Sequence, residues 1–331
     1  MGILITGGSG FVGLNLVEQL LGAGKDVVIF GHAPPPDSAL AEFSALSGHC
    51  VMVLGDICSG ADLDRAFNAM PIDRVIHAAA VTANLERERA SPRMIMDVNL
   101  IGAIELLEAM RRHRVRRILL ASSVAVYGFP DVPPDGLCEE SRCPEPANLY
   151  GISKLAAEQS ALRLAHLHDL SLTIARIGPA YGPWEYHSGV RDVLSPQWQS
   201  VDLARAGRPV TFSRAATGDW LYSRDAAAGL IALLEAQDLR HMIYNVGSGT
   251  RWSLDAWVEG LAAMIPGFTR GTSPALSNEA SVRVQTAQDR AAMAIQRITE
   301  DTSYVPRYGL ESSLADYLSW LDAHPDFPRS S

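Results

Sequence analysis

Two side chains at helical spacing carry a clear chemical signal in this sequence. Tyr150 and Lys154 are four residues apart, so on a helix they lie on one face and the ammonium group can approach the phenol. A phenol has an ordinary pKa of about 10, and a nearby positive charge lowers it. We therefore expect Tyr150 to exchange a proton with a substrate hydroxyl. Taken alone, such a pair is more often a solvated helix face.

A third polar side chain follows an apolar run upstream of this pair. The segment Leu119-Leu120-Ala121-Ser122-Ser123 predicts a buried strand that ends in two hydroxyl groups. Ser123 is expected to donate a hydrogen bond to the carbonyl or alkoxide that forms on the substrate. The predicted catalytic residues are therefore Ser123, Tyr150 and Lys154.

A glycine cluster lies between a strand and a helix close to residue 1. Gly7, Gly10 and Gly13 have the spacing G-x-x-G-x-x-G, directly after an apolar run and before a helical pattern. The first glycine permits a tight exit from the strand, the second lets the main chain approach a pyrophosphate, and the third lets the helix pack closely. The helix N-terminus adds free N–H donors. The turn, which includes Phe11 and Val12, predicts a dinucleotide site.

A dinucleotide would complete the chemistry of the tyrosine. Oxidised nicotinamide carries a positive charge, which would add to that of Lys154 in lowering the pKa of Tyr150. Tyr150 would then move a proton while a hydride moves to or from the cofactor. The combination of the two motifs predicts an oxidoreductase.

The second predicted strand ends without the residue that usually selects the cofactor. An acidic residue there is typical of NAD and a nearby Arg of NADP, but this chain has Gly31-His32-Ala33. NAD is the expected cofactor, and NADP stays open. His32 can donate to a ribose or a phosphate, or it is a solvated loop residue. Asp56, which precedes Ile57, can accept from an adenine amino group, or it is an ordinary turn aspartate.

The elements that must position these side chains alternate along the first half of the chain. Short β-rich runs lie at 3–6, 27–30, 51–54, 75–77, 118–121 and 172–177, and amphipathic helical patterns at 11–21, 62–70, 92–113 and 148–168. This alternation predicts an α/β fold, a Rossmann-type doubly wound parallel sheet. We expect residues 1–177 to form the dinucleotide-binding domain, with 219–246 returning to it. Residues 178–331 are expected to form a smaller C-terminal α/β substrate-binding lobe.

Composition narrows the class of protein. The 331 residues are 47% hydrophobic and carry a formal net charge of -9, the wrong sign for a nucleic-acid partner. No apolar run reaches the roughly 20 residues that cross a bilayer, and residue 1 is not followed by a secretory signal pattern. The cysteines form no C-x-x-C pair, which argues against a metal site or a disulfide framework. We expect a cytoplasmic protein with no metal and no membrane partner.

Further motifs occur in order along the chain. They are IHAAA at 76–80, DVNLIG at 97–102, VYG at 126–128, YGP at 181–183, DWLYSRDAA at 219–227 and YNVGSG at 244–249. With the glycine turn and the Tyr-x-x-x-Lys pair, the sequence resembles the extended short-chain dehydrogenase/reductases, specifically the NAD-dependent epimerase/dehydratase family. The resemblance extends over most of the chain. It implies that Ala78, Ala79, Ala80, Asn99 and Ile177 lie at the cofactor, Asn99 also having a structural and proton-relay role.

The chain departs from that family at positions that bear on the reaction and the substrate. Family dehydratases carry Thr-Asp-Glu where this chain has Ser123-Val124-Ala125, so dehydration or decarboxylation through those carboxyl groups is not expected. Nucleotide-sugar relatives often have an Asn and an Arg for the substrate where this chain has Arg176-Ile177-Gly178-Pro179 and Gly218-Asp219-Trp220. A diphosphate buried without a cation is penalised. A smaller polyol, aldose or sugar acid therefore competes with a nucleotide sugar.

The remaining substrate candidates are Thr82, Trp184 and Arg191. The last two lie in a polar and aromatic loop at 183–192, where a substrate should enter. Arg191 is the preferred substitute cation, and the alternative is a surface arginine paired with Asp192.

The leading hypothesis is an NAD-dependent oxidoreductase that acts on a secondary hydroxyl of a sugar or nucleotide sugar. If the ketone stays bound and is reduced from its other face, the enzyme is an epimerase, which we favour; if it leaves, the enzyme is a dehydrogenase of a free sugar, polyol or sugar acid. A non-catalytic dinucleotide-sensing protein is the alternative of another class, although it would not need all three catalytic residues. By analogy with the family we expect a homodimer formed by the helices at 99–113 and 150–168.

Overall fold

Seven parallel strands form the centre of the molecule. The computed structural model describes residues 1–129, 136–271, 280–284, 286 and 288–327. In spatial order the strands of the central sheet are β3 (Cys50–Leu54), β2 (Asp26–Gly31), β1 (Gly2–Thr6), β4 (Ile72–His77), β5 (Arg117–Ser123), β7 (Ser171–Ile177) and β11 (Ile243–Val246).

Twelve helices and six short strands complete the described part of the chain. The helices are α1 (Phe11–Gly22), α2 (Asp37–Ser44), α3 (Gly60–Asn68), α4 (Leu85–Ala90), α5 (Pro92–Met96), α6 (Gly102–His113), α7 (Leu149–His168), α8 (Pro196–Arg205), α9 (Ser223–Glu235), α10 (Leu254–Met264), α11 (Gln296–Asp301) and α12 (Leu310–Ala323). The short strands pair as β6 (Leu137–Cys138) with β13 (Ala292–Met293), β8 (Ala180–Tyr181) with β10 (Leu221–Tyr222), and β9 (Thr217–Gly218) with β12 (Trp252–Ser253).

Both faces of the central sheet are buried. Alternate residues of a strand point to opposite faces, and in β1 Ile3 and Ile5 join one hydrophobic core while Leu4 joins another. Side chains of α1, α2 and α9 contribute to the first core, and those of α3, α6 and α7 to the second. Because helices cover both faces, the strands are almost continuously apolar. The predicted Rossmann-type doubly wound fold is confirmed.

Three helical segments of the first half of the chain differ from the sequence prediction. The helix expected at 92–113 is divided into α5, a π-helical turn at Asp97–Ile101, and α6. The division coincides with Asn99, whose side chain is held by the main chain of Val81. Helices α2 and α4 were not predicted; α2 begins directly after Pro36, its N-cap residue, and α4 follows its N-cap residue Asn84.

The carboxyl ends of the parallel strands meet at one edge of the sheet. Gly7 follows β1, Ala78 follows β4, Ser123 ends β5 and Ile177 ends β7. All four residues line one cavity, as expected for open α/β sheets, which bind ligands beyond the carboxyl ends of their strands. The proposed division into 1–177 with 219–246, and a lobe at 178–331, stays a prediction.

Candidate active site

The glycine turn brings main-chain atoms close together at the start of α1. Gly7 has a φ of 72°, a conformation that favours glycine. A Cβ atom at Gly13 would lie 2.2 Å from the carbonyl oxygen of Gly7, so only glycine allows this close packing. Gly7, Gly10, Phe11, Val12 and Gly13 all line the first cavity. The N-cap residue Gly10 makes no side-chain cap, which leaves the first N–H groups of α1 available to an anion.

A second cavity adjoins the first. The two have volumes of about 670 and 1010 Å³, in or near the usual range for small-molecule sites. Both are lined by Gly7, Gly10, Ala78 and Ala80, while Ala79 lines the second. The glycine turn therefore lies between them, where a dinucleotide can extend into both.

The second cavity contains the predicted adenosine residues. His32, Asp56 and Ile57 all line it. The Asp56 carboxylate accepts the Cys58 main-chain N–H at 2.9 Å, a turn interaction that leaves its second oxygen available. A Cβ atom at Gly31, the last residue of β2, would lie 2.8 Å from the Ser9 Oγ atom, so the strand end itself offers no side chain to the ribose.

The predicted catalytic residues and Thr82 all line the first cavity. Ser123 ends β5, and Tyr150 and Lys154 lie on the first turns of α7, which Asn148 caps by accepting the Gly151 N–H at 2.8 Å. Ser123, Thr82 and Tyr150 all line this cavity, and the hydroxyl groups of Ser123 and Thr82 act to lower the pKa of Tyr150. The structure thus brings Ser123, Tyr150, Lys154 and Thr82 together along one wall.

Burial dominates the acidity of the tyrosine. It raises the pKa of Tyr150, whereas the hydrogen bonds of Ser123 and Thr82 and the charges of Arg191 and Arg290 act in the opposite direction. Among the largest effects on this pKa, the cationic ones come from the two arginines, and the expected effect of Lys154 on Tyr150 stays a prediction. Because burial prevails, Tyr150 is a neutral phenol.

Lys154 is almost fully buried, with 4% of its surface exposed. Burial lowers its pKa to about 8, and the charge of Glu158, one helical turn further along α7, acts against this decrease. The positive charge of Lys154 also contributes, after burial, to lowering the pKa of His77 to about 3. The pKa of Lys154 is therefore close to neutral pH, so a change in a nearby charge alters the protonated fraction of its amine.

Glu158, which favours the charged form of Lys154, belongs to a buried ion pair. Arg176 Nε and Nη2 donate to the two oxygens of Glu158 at 3.0 and 2.7 Å, and Ser122 Oγ donates to Glu158 Oε1 at 2.5 Å. Ser122 and Arg176 are partners in the pairing of β5 with β7. Sequence reasoning missed this group, although Tyr150, Lys154 and Glu158 share one spacing of four.

Asn99 lies behind the cavities and lines neither of them. Its side chain accepts the Val81 N–H at 2.7 Å and donates to the Val81 carbonyl at 3.1 Å and to Ser153 Oγ at 2.9 Å. These bonds are of the structural kind expected for Asn99, while its predicted contact with the cofactor stays a prediction. Asn99 fixes the chain that follows Ala80 against α7, because its amide satisfies both main-chain groups of one residue.

Trp184 is also not a substrate residue. It is 0% exposed, its Nε1 donates to Glu18 Oε2 at 2.5 Å, and its ring centroid lies 4.9 Å from that of Trp320 and 5.4 Å from that of Phe327. The prediction placed it in the entry loop, but a large aromatic side chain with a paired N–H gains more from burial. Trp184 belongs to the hydrophobic core.

Arg191 lines the first cavity and is paired, but not with its neighbour. Its Nη2 donates to Glu185 Oε1 at 2.7 Å, whereas Asp192 pairs with Arg87 at 2.5 Å. The alternative of a surface pair with Asp192 is therefore wrong. Thr82 and Arg191 are joined by a parallel β-bridge, so the loop of Arg191 adds to the wall that contains Thr82.

Two further features bear on the class of site. Among the described residues, no group of three or more His, Cys, Asp or Glu side chains is arranged to hold a metal ion. Over the same residues, each helix is too short or too polar to traverse a lipid bilayer.

Comparisons with known proteins agree with this arrangement. A family model described as "NAD dependent epimerase/dehydratase family" matches residues 3–247. The bifunctional UDP-glucose 4-epimerase and UDP-xylose 4-epimerase 1 of Pisum sativum is 26% identical, over 98% of this chain and 96% of its own. A putative UDP-glucose 4-epimerase of Methanocaldococcus jannaschii is 30% identical, over 76% of this chain and 79% of its own.

Among solved structures, MoeE5 in complex with UDP-glucuronic acid and NAD is 25% identical. It superimposes with a TM-score of 0.76, over 98% of this chain and 99% of its own. The glycine turn, the Ser-Tyr-Lys wall and the family match over most of the sheet lead to one assignment. The chain belongs to the NAD-dependent epimerase/dehydratase family.

Proposed function

We propose that the protein is an NAD-dependent epimerase that inverts a secondary hydroxyl of a nucleotide sugar through a transient ketone. One observation carries the proposal: Tyr150, Ser123 and Thr82 line the same cavity as the glycine turn. The relatives named as UDP-sugar 4-epimerases support the nucleotide sugar and favour position 4 of the ring.

Each wall residue then has a distinct role. NAD, when bound, takes up and returns the hydride. Tyr150 accepts the hydroxyl proton as the ketone forms and returns it at reduction. Ser123 donates a hydrogen bond to the reacting oxygen, and the ammonium group of Lys154 lowers the cost of the phenolate. The N–H groups at Phe11 and Val12, in the first turn of α1, would bind the pyrophosphate of the cofactor.

The absence of carboxyl groups beside Ser123 supports epimerisation over elimination. The residues that follow it, Val124 and Ala125, are apolar and buried. The cavity therefore offers no acid or base at the positions where family dehydratases carry them. Hydride transfer in both directions needs only Ser123, Tyr150 and Lys154.

A dehydrogenase of a free sugar, polyol or sugar acid is the second candidate. The observation that favours it is the lining at Pro179 and Gly218, which supplies no side-chain donor where nucleotide-sugar relatives often have an Asn and an Arg.

Denaturing the purified protein separates the two candidates. An epimerase retains its cofactor, so we expect near-equimolar NAD in the released fraction and epimerisation of UDP-sugars without added NAD. A cofactor-free protein that converts added NAD to NADH in proportion to the sugar oxidised would contradict the proposal. The Tyr150→Phe variant serves as the matched control, since it removes one oxygen from the wall.

We also propose a homodimer in the cytoplasm. Three large apolar side chains on the helices named for the dimer are exposed, Ile101 by 40%, Ile152 by 44% and Leu167 by 53%, and a partner copy would cover them. All four cysteines are free thiols, which suits a reducing compartment. Light scattering coupled to size exclusion tests the dimer, and a monomeric mass at micromolar concentration would contradict it.

A further inference from the structure

The first cavity contains three arginines among its described lining residues, and they differ in their partners. Arg191 pairs with Glu185 at 2.7 Å, and Arg214 pairs with Asp289 at 2.7 Å. Within the described ranges no carboxylate lies at ion-pair distance from Arg290. Its charge therefore has no compensating partner in that part of the chain.

The surroundings of Arg290 hold its side chain in place. Its Nε donates to the Gly128 carbonyl at 3.0 Å, and its guanidinium carbon lies 4.7 Å from the centroid of the Phe129 ring. Neither contact uses the two terminal nitrogens, for which the described residues provide no acceptor. A guanidinium that is fixed at Nε and stacked on a ring leaves a planar pair of donors free, which matches a carboxylate or a phosphate.

Arg290 lies at the reacting end of the cavity. Its charge and the Tyr150 hydroxyl influence each other's pKa, and Gly128 closes the short 3₁₀-helical turn that follows Ser123. Because Arg290 and Tyr150 line the same cavity, a substrate whose hydroxyl reaches Tyr150 can present its sugar ring to this arginine. Its nucleotide would then lie further along the cavity.

We propose that Arg290 binds an acidic substituent of the sugar ring, and that the preferred substrate is a nucleotide-linked uronic acid. This inference rests on the proposed function, because it assumes that the sugar hydroxyl meets Tyr150. A diphosphate, like a carboxylate, offers pairs of anionic oxygens to a guanidinium group. The test therefore compares two substrates that share the diphosphate and differ at the sugar.

UDP-glucuronic acid and UDP-glucose provide that comparison. We expect the wild-type protein to favour UDP-glucuronic acid in kcat/KM, and Arg290→Gln to reduce the ratio of the two kcat/KM values about 10- to 100-fold, the usual loss for a charge-assisted pair. An effect on the acidity of Tyr150 acts on both substrates and cancels in the ratio. Arg208→Gln is the matched control, because Arg208 is 62% exposed on the surface, and it should leave the ratio unchanged.

Two results for Arg290→Gln would overturn the inference. One is an unchanged ratio in Arg290→Gln; the other is an equal loss for both substrates together with weaker binding of UDP alone, which would assign Arg290 to the diphosphate. Thermal unfolding of each variant confirms that it is folded, and Arg290→Lys, which keeps the charge without the planar fork, should restore part of the ratio.

Binding measured by calorimetry on NAD-loaded protein separates this inference from the proposed function. If neither sugar is epimerised but Arg290→Gln selectively weakens UDP-glucuronic acid binding, the function is wrong and the anion site stands. If epimerisation occurs and the wild-type protein binds both sugars equally, the function stands and the anion site is wrong. The inference is also overturned if the protein binds neither nucleotide sugar and does not bind free glucuronate more tightly than free glucose.

Discussion

Replacing Glu158 by glutamine removes a buried charge one turn of α7 away from Lys154. Glu158 is 0% exposed and Arg176 is 2% exposed, and two hydrogen bonds at 3.0 and 2.7 Å join them. The neutral amide leaves the guanidinium without its carboxylate partner. Breaking a buried ion pair from one side costs about 3–5 kcal/mol, so we expect the free energy of unfolding of Glu158→Gln to fall by roughly that amount. Urea denaturation at pH 7 measures it.

The same substitution has a second consequence for the pH dependence of the reaction. Burial lowers the pKa of Lys154 to about 8, and the Glu158 charge raises it. Without that charge the pKa falls further, because only the cost of burial remains. Since the ammonium form is the active one, kcat/KM decreases as the pH rises through this pKa. The basic limb of the profile should therefore move to lower pH in Glu158→Gln.

A double variant separates the two consequences. Glu158→Met with Arg176→Met removes both charges and fills the space with apolar groups, which restores most of the stability. The basic limb should remain displaced, because the carboxylate that supported Lys154 is still missing. If Glu158→Gln unfolds at the same urea concentration as the wild-type protein and keeps the same basic limb, the assigned role of Glu158 is refuted.

Three further substitutions give distinct results. Tyr150→Phe should lower kcat about 10²- to 10⁴-fold and leave the calorimetric affinity for NAD unchanged; full turnover would remove the phenol from the mechanism. Burial lowers the pKa of His77 to about 3. The unfolded chain therefore binds the proton first, and stability falls as the pH decreases from about 6.5 toward 3. In urea titrations at several pH values, His77→Gln should make the free energy of unfolding less dependent on pH, and an unchanged pH dependence would contradict this role of His77. Trp184→Ala should cost about 3–5 kcal/mol of stability with an unchanged KM, whereas a raised KM in an equally stable protein would return Trp184 to the substrate site.

The sheet could be predicted because its information is local. The apolar runs at 3–6 and 27–30 and the glycines after the first of them determine a strand, a turn and a helix within a few residues. The structure extends those runs by a residue or two, to Gly2–Thr6 and Asp26–Gly31. Tyr150 and Lys154 were likewise found from one helical spacing.

Contacts between distant segments could not be predicted in this way. Trp184 is held by Glu18, far away in the sequence, and nothing near residue 184 indicates that partner. Asn99 is similarly defined by its bonds to Val81. A polar residue at a motif position was therefore assigned to the cofactor, although its amide satisfies buried main-chain groups.

Charged residues also divide into those with a local sequence signal and those defined by contacts with distant segments. Glu158 carried a local signal, since it continues the spacing of Tyr150 and Lys154 by another four residues. Arg290 carried none, because its contact with Gly128 spans 162 positions. Its location in the cavity follows from the tertiary fold alone.

Isotope retention tests the central claim most directly. A UDP-sugar with deuterium on the carbon to be inverted is incubated with the protein in ordinary water, and the epimer is examined by NMR. The account predicts that the deuterium stays on the same carbon, because the hydride leaves to NAD and returns within one closed site, and that Tyr150→Phe forms almost no epimer. Replacement of the deuterium by solvent hydrogen, or release of a ketone with accumulating NADH, would contradict it.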